Sequence, residues 1–164
     1  MSSVNKDVIL QLLQYGKPER AANYSYKPRG FLFLSNSVVD LNHEYTVYGY
    51  KGTQSTVIIP AKIGKKQVTA IGIPERANLA YYTQFDFWDV ETLIIPEGVN
   101  KISRGALTCE NKLKHIYLPE SLTTFASEHA IHHDEDITVY CKKNSKVAQR
   151  LAETYGLQCV LIDD

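Results

Sequence analysis

The sequence predicts an α/β-type solenoid of short parallel strands with irregular returning arms, closed by an N-terminal helix and β cap and by a C-terminal helix-strand cap. Three observations predict it. Val57-Ile58-Ile59-Pro60, Leu93-Ile94-Ile95-Pro96 and Ile116-Tyr117-Leu118-Pro119 are versions of one phrase, and Val139-Tyr140-Cys141-Lys142 repeats it without the proline. Ile95, Leu118 and Cys141 are evenly spaced, 23 residues apart. After two of the prolines a second apolar pair follows, Val99 with Ile102 and Leu122 with Phe125.

Each element has a local reason. Alternation with period two sends Val57/Ile59, Leu93/Ile95, Ile116/Leu118 and Val139/Cys141 to one face of the strands, which becomes the core. Proline ends the strand where no ladder donor is needed, so it marks a corner of the coil. The second apolar pair packs the far side, and Val90 and Leu113 lead into the next strands. The step from Ile59 to Ile95 is longer than the others, and residues 64–68 with the stretch "NLAYYTQFDFWD" supply the excess. A period in the low twenties is that of leucine-rich-repeat solenoids, in which one unit cannot bury its apolar face alone.

The ends read as caps. Ser3 or Asn5 can N-cap a helix through Leu13 that ends at Gly16, after which "FLFLS" and "HEYTVYGYKG" look like antiparallel strands over the edge of the first coil. At the other end, Asn144 or Ser145 precedes a helix whose Val147, Ala148, Leu151 and Tyr155 share a face, with Gly156 just past its last turn. A strand from Leu157 to Ile162 closes the stack. The chain therefore divides into an N-terminal helix and basic Tyr-rich arm (1–30), an N-terminal β cap (31–54), repeats with an insertion at 73–89 (55–141), and a C-terminal cap (142–164).

The stretches "VIIPAKIGKKQVTAIG", "LIIPEGVNKISRGALTCENKL" and "IYLPESLTTFASEHAIHHDEDI" resemble the units of BspA-like leucine-rich repeats: strand, Ile-Pro, turn, Ile-Gly, a small-aromatic position, Cys and Leu. "TVYCKKNSKVAQRLAETYGLQCVLID" looks like the closing cap of that family, so the resemblance spans residues 44–163. It implies a leucine-rich-repeat fold, a recognition surface, and a bacterial or phage source.

Composition narrows the function classes. The chain has 164 residues, and its 18 Lys and Arg cancel its 18 Asp and Glu, so no bulk field attracts nucleic acid or an anionic membrane. No apolar run approaches the roughly 18 residues of a membrane span. Near the N-terminus, Val8-Ile9-Leu10 and Leu12-Leu13 are interrupted by Gln11 and followed by no small-residue cleavage site. The expectation is a cytoplasmic protein as the sequence stands, or a surface or secreted one if a leader was removed. Cys109, Cys141 and Cys159 are odd in number and sit in apolar settings, which reads as buried free thiols; without a base or a second close cysteine, none is expected to be a nucleophile.

Candidate sites follow from alternation. Ile58, Ile94, Tyr117 and Tyr140 point outward at one level of the strands, and Thr56, Thr92, His115 and Thr138 at another. This ladder is more apolar than solvent requires and suggests a protein or peptide partner. The competing reading is that such residues simply favour strands, or that the insertion covers them. In the insertion, "YYTQFDFWD" packs 5 aromatics, and either covers the sheet or presents Phe85, Phe87 and Trp88 to the partner.

Two further clusters are weaker. "EHAIHHDED" brings His129, His132, His133 and Asp134 together, as a metal-binding protein or metal-dependent hydrolase would, but without a defined ligand spacing, and a solvated loop reads the same way. The arm "YGKPERAANYSYKPRG" mixes Lys17, Arg20, Lys27 and Arg29 with Tyr15, Tyr24 and Tyr26. Such a mix can grip single-stranded nucleic acid, the less favoured reading, or an acidic peptide, as in an intracellular inhibitor or adaptor encoded by a phage or mobile element, and a polar tether beside a cap reads the same way. No phosphate loop, serine triad or nucleophile elbow occurs. The expectation is a non-catalytic recognition module with no cofactor and no structural metal.

Overall fold

In a computed structural model of the chain the described residues are 2–28, 31–34, 37–40, 44–72, 89–103, 106–107, 112–126, 130–131 and 136–163. They form a parallel-strand β-solenoid of about 4 turns with two helices. One wall is a sheet of β5 (Thr56–Ile58), β8 (Thr92–Ile94), β10 (His115–Tyr117), β12 (Thr138–Lys142) and β13 (Gln158–Ile162). Its neighbours run in the order β13-β12-β10-β8-β5, and every pairing is parallel. The repeated phrase sets its register: Thr92, His115 and Thr138 lie side by side, then Leu93, Ile116 and Val139, then Ile94, Tyr117 and Tyr140.

The facing wall is built by the returning arms. Here β4 (Glu44–Tyr50), β7 (Lys66–Ile71), β9 (Lys101–Ile102) and β11 (Thr124–Phe125) pair in parallel in that order. β6 (Lys62–Ile63) folds onto β7 as a hairpin, which is part of the first coil's excess length. Between the walls lies the main core, where Ile59, Ile95, Leu118 and Cys141 stack from coil to coil, with Val99, Ile102 and Leu122 opposite. Burying each such side chain contributes about 1.5–3 kcal/mol. Polar groups brace successive coils at the corners: the Glu97 carboxylate accepts from the Glu120 and Ser121 amides at 3.0 and 3.1 Å, and the Ser121 hydroxyl donates to the Val99 carbonyl at 2.7 Å.

The N-terminal side differs from expectation in its pairing. β2 (Phe31–Leu34) forms a two-stranded hairpin with β3 (Ser37–Asp40), so "FLFLS" does not pair with "HEYTVYGYKG". The antiparallel partner of β4 is β1 (Tyr24–Pro28), which belongs to the supposed tether. The cause is the tyrosines. Tyr24 is buried, its ring 5.6 Å from that of Tyr50, and its hydroxyl donates to the Ile58 carbonyl at 2.7 Å while accepting from the Glu19 amide. Burial pushes the Tyr24 hydroxyl up to about 12, so it stays a donor.

Helix α1 (Ser2–Tyr15) ends at Gly16, and helix α2 (Lys146–Thr154) at Gly156, both as the sequence indicates. Gly156 sits at φ 66°, and the Gly156 and Leu157 amides bond back to the Glu153 and Ala152 carbonyls, a Schellman ending that turns the chain directly into β13. Ser145 occupies the N-cap position of α2, yet its buried hydroxyl makes no capping bond.

Candidate functional site

The outer face of the five-stranded sheet carries a second apolar layer, separate from the main core. Ile94, Tyr117, Tyr140 and Ile162 are buried there together with Ile9 of α1, and Leu12, Ile58 and Val160 pack at the margin. Ile9 and Leu12 are on one side of α1, so the helix lies with its apolar stripe on the strand ladder. Gly16 lets the helix end come down onto the sheet, since a side chain there would run into Ile58.

This corrects the reading of an open ladder. Alternation does send Ile94, Tyr117 and Tyr140 away from the main core, but exposure of 1–2% leaves them almost no free surface. Ile58 is half-buried at the margin of the layer. Among the described residues the cover is the N-terminal helix. Of the insertion expected to cover or extend this face, residues 73–88 lie outside the described residues, including Phe85, Phe87 and Trp88.

Among the described residues, two parts of the face are accessible. The polar row at the start of the strands is one: Thr56 is exposed, and Thr92, His115 and Thr138 are half-buried. His115 Nδ1 lies 3.0 Å from the Tyr140 hydroxyl, which ties the polar row to the apolar one. Burial, and then the Lys114 ammonium, hold His115 below its ordinary value, while burial raises the Tyr140 hydroxyl. The other is a groove of about 360 Å³ beside α1, at the opposite end of the strands, where Leu12, Leu13 and Gly16 face Ile94, Pro96 and Tyr117. Glu97 and Lys142 stand at its rim.

Among the other candidates, Tyr24 of the basic arm is structural, whereas Lys17, Arg20 and Lys27 are exposed. His129, His132, His133 and Asp134 lie outside the described residues, and no group of metal-ligating side chains occurs among the described ones. Cys109 also lies outside them, and Arg29 likewise. Cys141 is fully buried, as expected. Cys159 is exposed, which corrects the reading of it as a buried thiol, and its sulfur is 3.7 Å from that of Cys141. The expectation that no cysteine has a close second cysteine is therefore also corrected. Sequence reasoning missed this pair although laying the last strand against the ladder, with Cys159 beside Val139, would have revealed it.

No protein-family model, curated protein or solved structure matches the chain.

Proposed function

We propose that the chain is a non-catalytic recognition module of the BspA-like leucine-rich-repeat kind, its terminal helices and strands acting as caps. The outer face of the five-stranded sheet is the part that grips a partner, and what it takes is an apolar-striped helix or peptide. One observation supports this most: an apolar layer of Ile94, Tyr117, Tyr140 and Ile162 lies outside the main core and, among the described residues, is covered by the short helix α1. A solenoid needs apolar side chains only between its walls. A second layer on the outside is fitted to something laid across it, and α1 supplies that occupant from the same chain. A partner segment with the same stripe takes the place of α1. Lys17 and Arg20, exposed just beyond the helix, favour a partner with acidic residues at that end.

The test uses the full chain carrying Ile9→Asp, which releases α1 because a carboxylate cannot be buried unpaired against Ile94 and Tyr140. This variant should bind a labelled synthetic peptide of residues 2–16 at roughly micromolar concentration, while the parent protein, its face occupied, should not. A labelled peptide that itself carries Ile9→Asp should bind neither. If the variant protein ignores the native peptide although hydrogen exchange shows α1 released, the face is not a helix-recognition surface.

A further inference from the structure

We propose that Cys141 and Cys159 form a peroxide-oxidisable dithiol that closes to an intramolecular disulfide between the last two strands of the sheet. The geometry places both sulfurs on the inward side of neighbouring strands. Cys159 pairs with Val139 and Cys141 with Leu161, so the cysteines are two positions out of register, yet their sulfurs meet at 3.7 Å. A packing role accounts for Cys141, which fills a small slot in the main core at 0% exposure. It does not account for Cys159, whose side is open to solvent.

That asymmetry divides the chemistry. Cys159 is the thiol a peroxide can reach, and Cys141 is the thiol held ready behind it. The Cys141 thiol hydrogen-bonds to Cys159 and holds it down to about 7, whereas that bond and burial push Cys141 upward. From the start of α2 the Lys146 ammonium opposes the rise at Cys141. In the first step the Cys159 thiolate attacks one peroxide oxygen. The O–O bond breaks, the second oxygen leaves with a proton as alcohol or water, and Cys159 becomes a sulfenic acid. In the second step the Cys141 sulfur displaces hydroxide from that sulfenic sulfur, giving the disulfide and water. Two thiols are oxidised and one peroxide is reduced.

Closing from 3.7 Å to a bond of about 2.05 Å needs β13 to shift towards and along β12. Among the described residues β13 is at the sheet's edge and is hydrogen-bonded to one strand, so its shift would disturb a single ladder, that with β12. This proposal stands independently of the recognition reading.

The experiment treats the reduced full chain with a few equivalents of hydrogen peroxide. Free thiols are then trapped under denaturing conditions with a maleimide, and the peptides are read by mass spectrometry. The expected result is a crosslinked peptide joining Cys141 to Cys159 with both sites lost to maleimide, and recovery of both after dithiothreitol. In Cys159→Ser, an exposed change that leaves the core intact, Cys141 should remain fully labelled after the same treatment. The proposal is overturned if Cys141 in the parent stays labelled while Cys159 becomes a sulfinic or sulfonic acid. It is equally overturned if Cys159 links to Cys109 or to a second chain, or if Cys141 is oxidised in Cys159→Ser.

Discussion

Replacing Ile9 by alanine truncates a side chain of α1 that is buried at 1% exposure, and its neighbours Ile94, Tyr117, Tyr140 and Ile162 lose cover. In a closed core, Ile→Ala costs about 2–5 kcal/mol, the upper end applying where the surroundings cannot collapse. The layer under α1 is half-exposed at its margin, where Leu12, Ile58 and Val160 sit, so the loss should fall near the lower end, about 2 kcal/mol. Leu12 is only half-buried, and Leu12→Ala should cost about 1 kcal/mol. The two losses should not add in full, because once the helix has left the sheet a second truncation in it removes nothing further. Urea unfolding of the single and double variants measures the energies, and hydrogen exchange by mass spectrometry locates them. The α1 amides should lose protection while β8, β10 and β12 keep theirs. Additive losses, with the strands of the sheet opening together with α1, would refute the reasoning and make the helix part of the cooperative core.

Other perturbations give equally direct readings. Alkylation of Cys159 by iodoacetamide should rise with pH through about 7, and in Cys141→Ala, which removes the hydrogen-bond donor, the inflexion should move up towards that of an ordinary thiol. Because the folded state holds His115 below its unfolded value, the unfolded chain binds the proton more readily, and stability should fall as pH drops below about 6.5. Urea midpoints against pH should show that His115→Gln flattens this part of the profile. The buried Ala130 amide donates to the Tyr155 hydroxyl, which itself donates to the Ala126 carbonyl, so Tyr155→Phe should cost about 1–3 kcal/mol by leaving that amide unpaired. A thermal melt unchanged by this substitution would contradict that account.

The strand register was legible because it rests on two local rules. Alternation in a β-branched run decides which side chains share a face, and proline decides where the run ends. Ile59, Ile95, Leu118 and Cys141 therefore fall where the sequence puts them, as do Val90, Leu113 and the Gly156 turn. What alternation cannot supply is the identity of whatever lies on the other face. Ile94, Tyr117 and Tyr140 point away from the main core as expected, but burying them depends on a helix more than seventy residues earlier in the chain, and no spacing encodes that contact. The tyrosines of the arm escaped for a similar reason. Among lysines and arginines Tyr24 reads as surface, whereas its hydroxyl is used by the Ile58 carbonyl across the first coil. Cys159 shows the limit of the inward rule: β13 is an edge strand of the described sheet, and an inward side chain there is exposed.

A tethered helix sets a quantitative condition on any partner of the outer face. The segment from Gly16 to the first residues of β1 is short, so α1 faces the sheet at an effective concentration on the order of millimolar. A partner segment making only the contacts of Ile9 and Leu12 would have to reach a similar free concentration to exchange with it. To do so at about one micromolar it must bind the uncovered face roughly a thousandfold more tightly than α1 does, about 4 kcal/mol. The face holds two reserves from which that difference can come. The groove beside Leu13 is already open, and filling it with one or two apolar side chains contributes about 1.5–3 kcal/mol each. The polar row of Thr92, His115 and Thr138 is half-buried and carries hydroxyl and imidazole groups able to hydrogen-bond a partner. A partner that beats the helix is therefore longer or broader than α1, reaching both ends of the strands at once, and that is also why a peptide copied from α1 alone should bind only when the resident helix has been released.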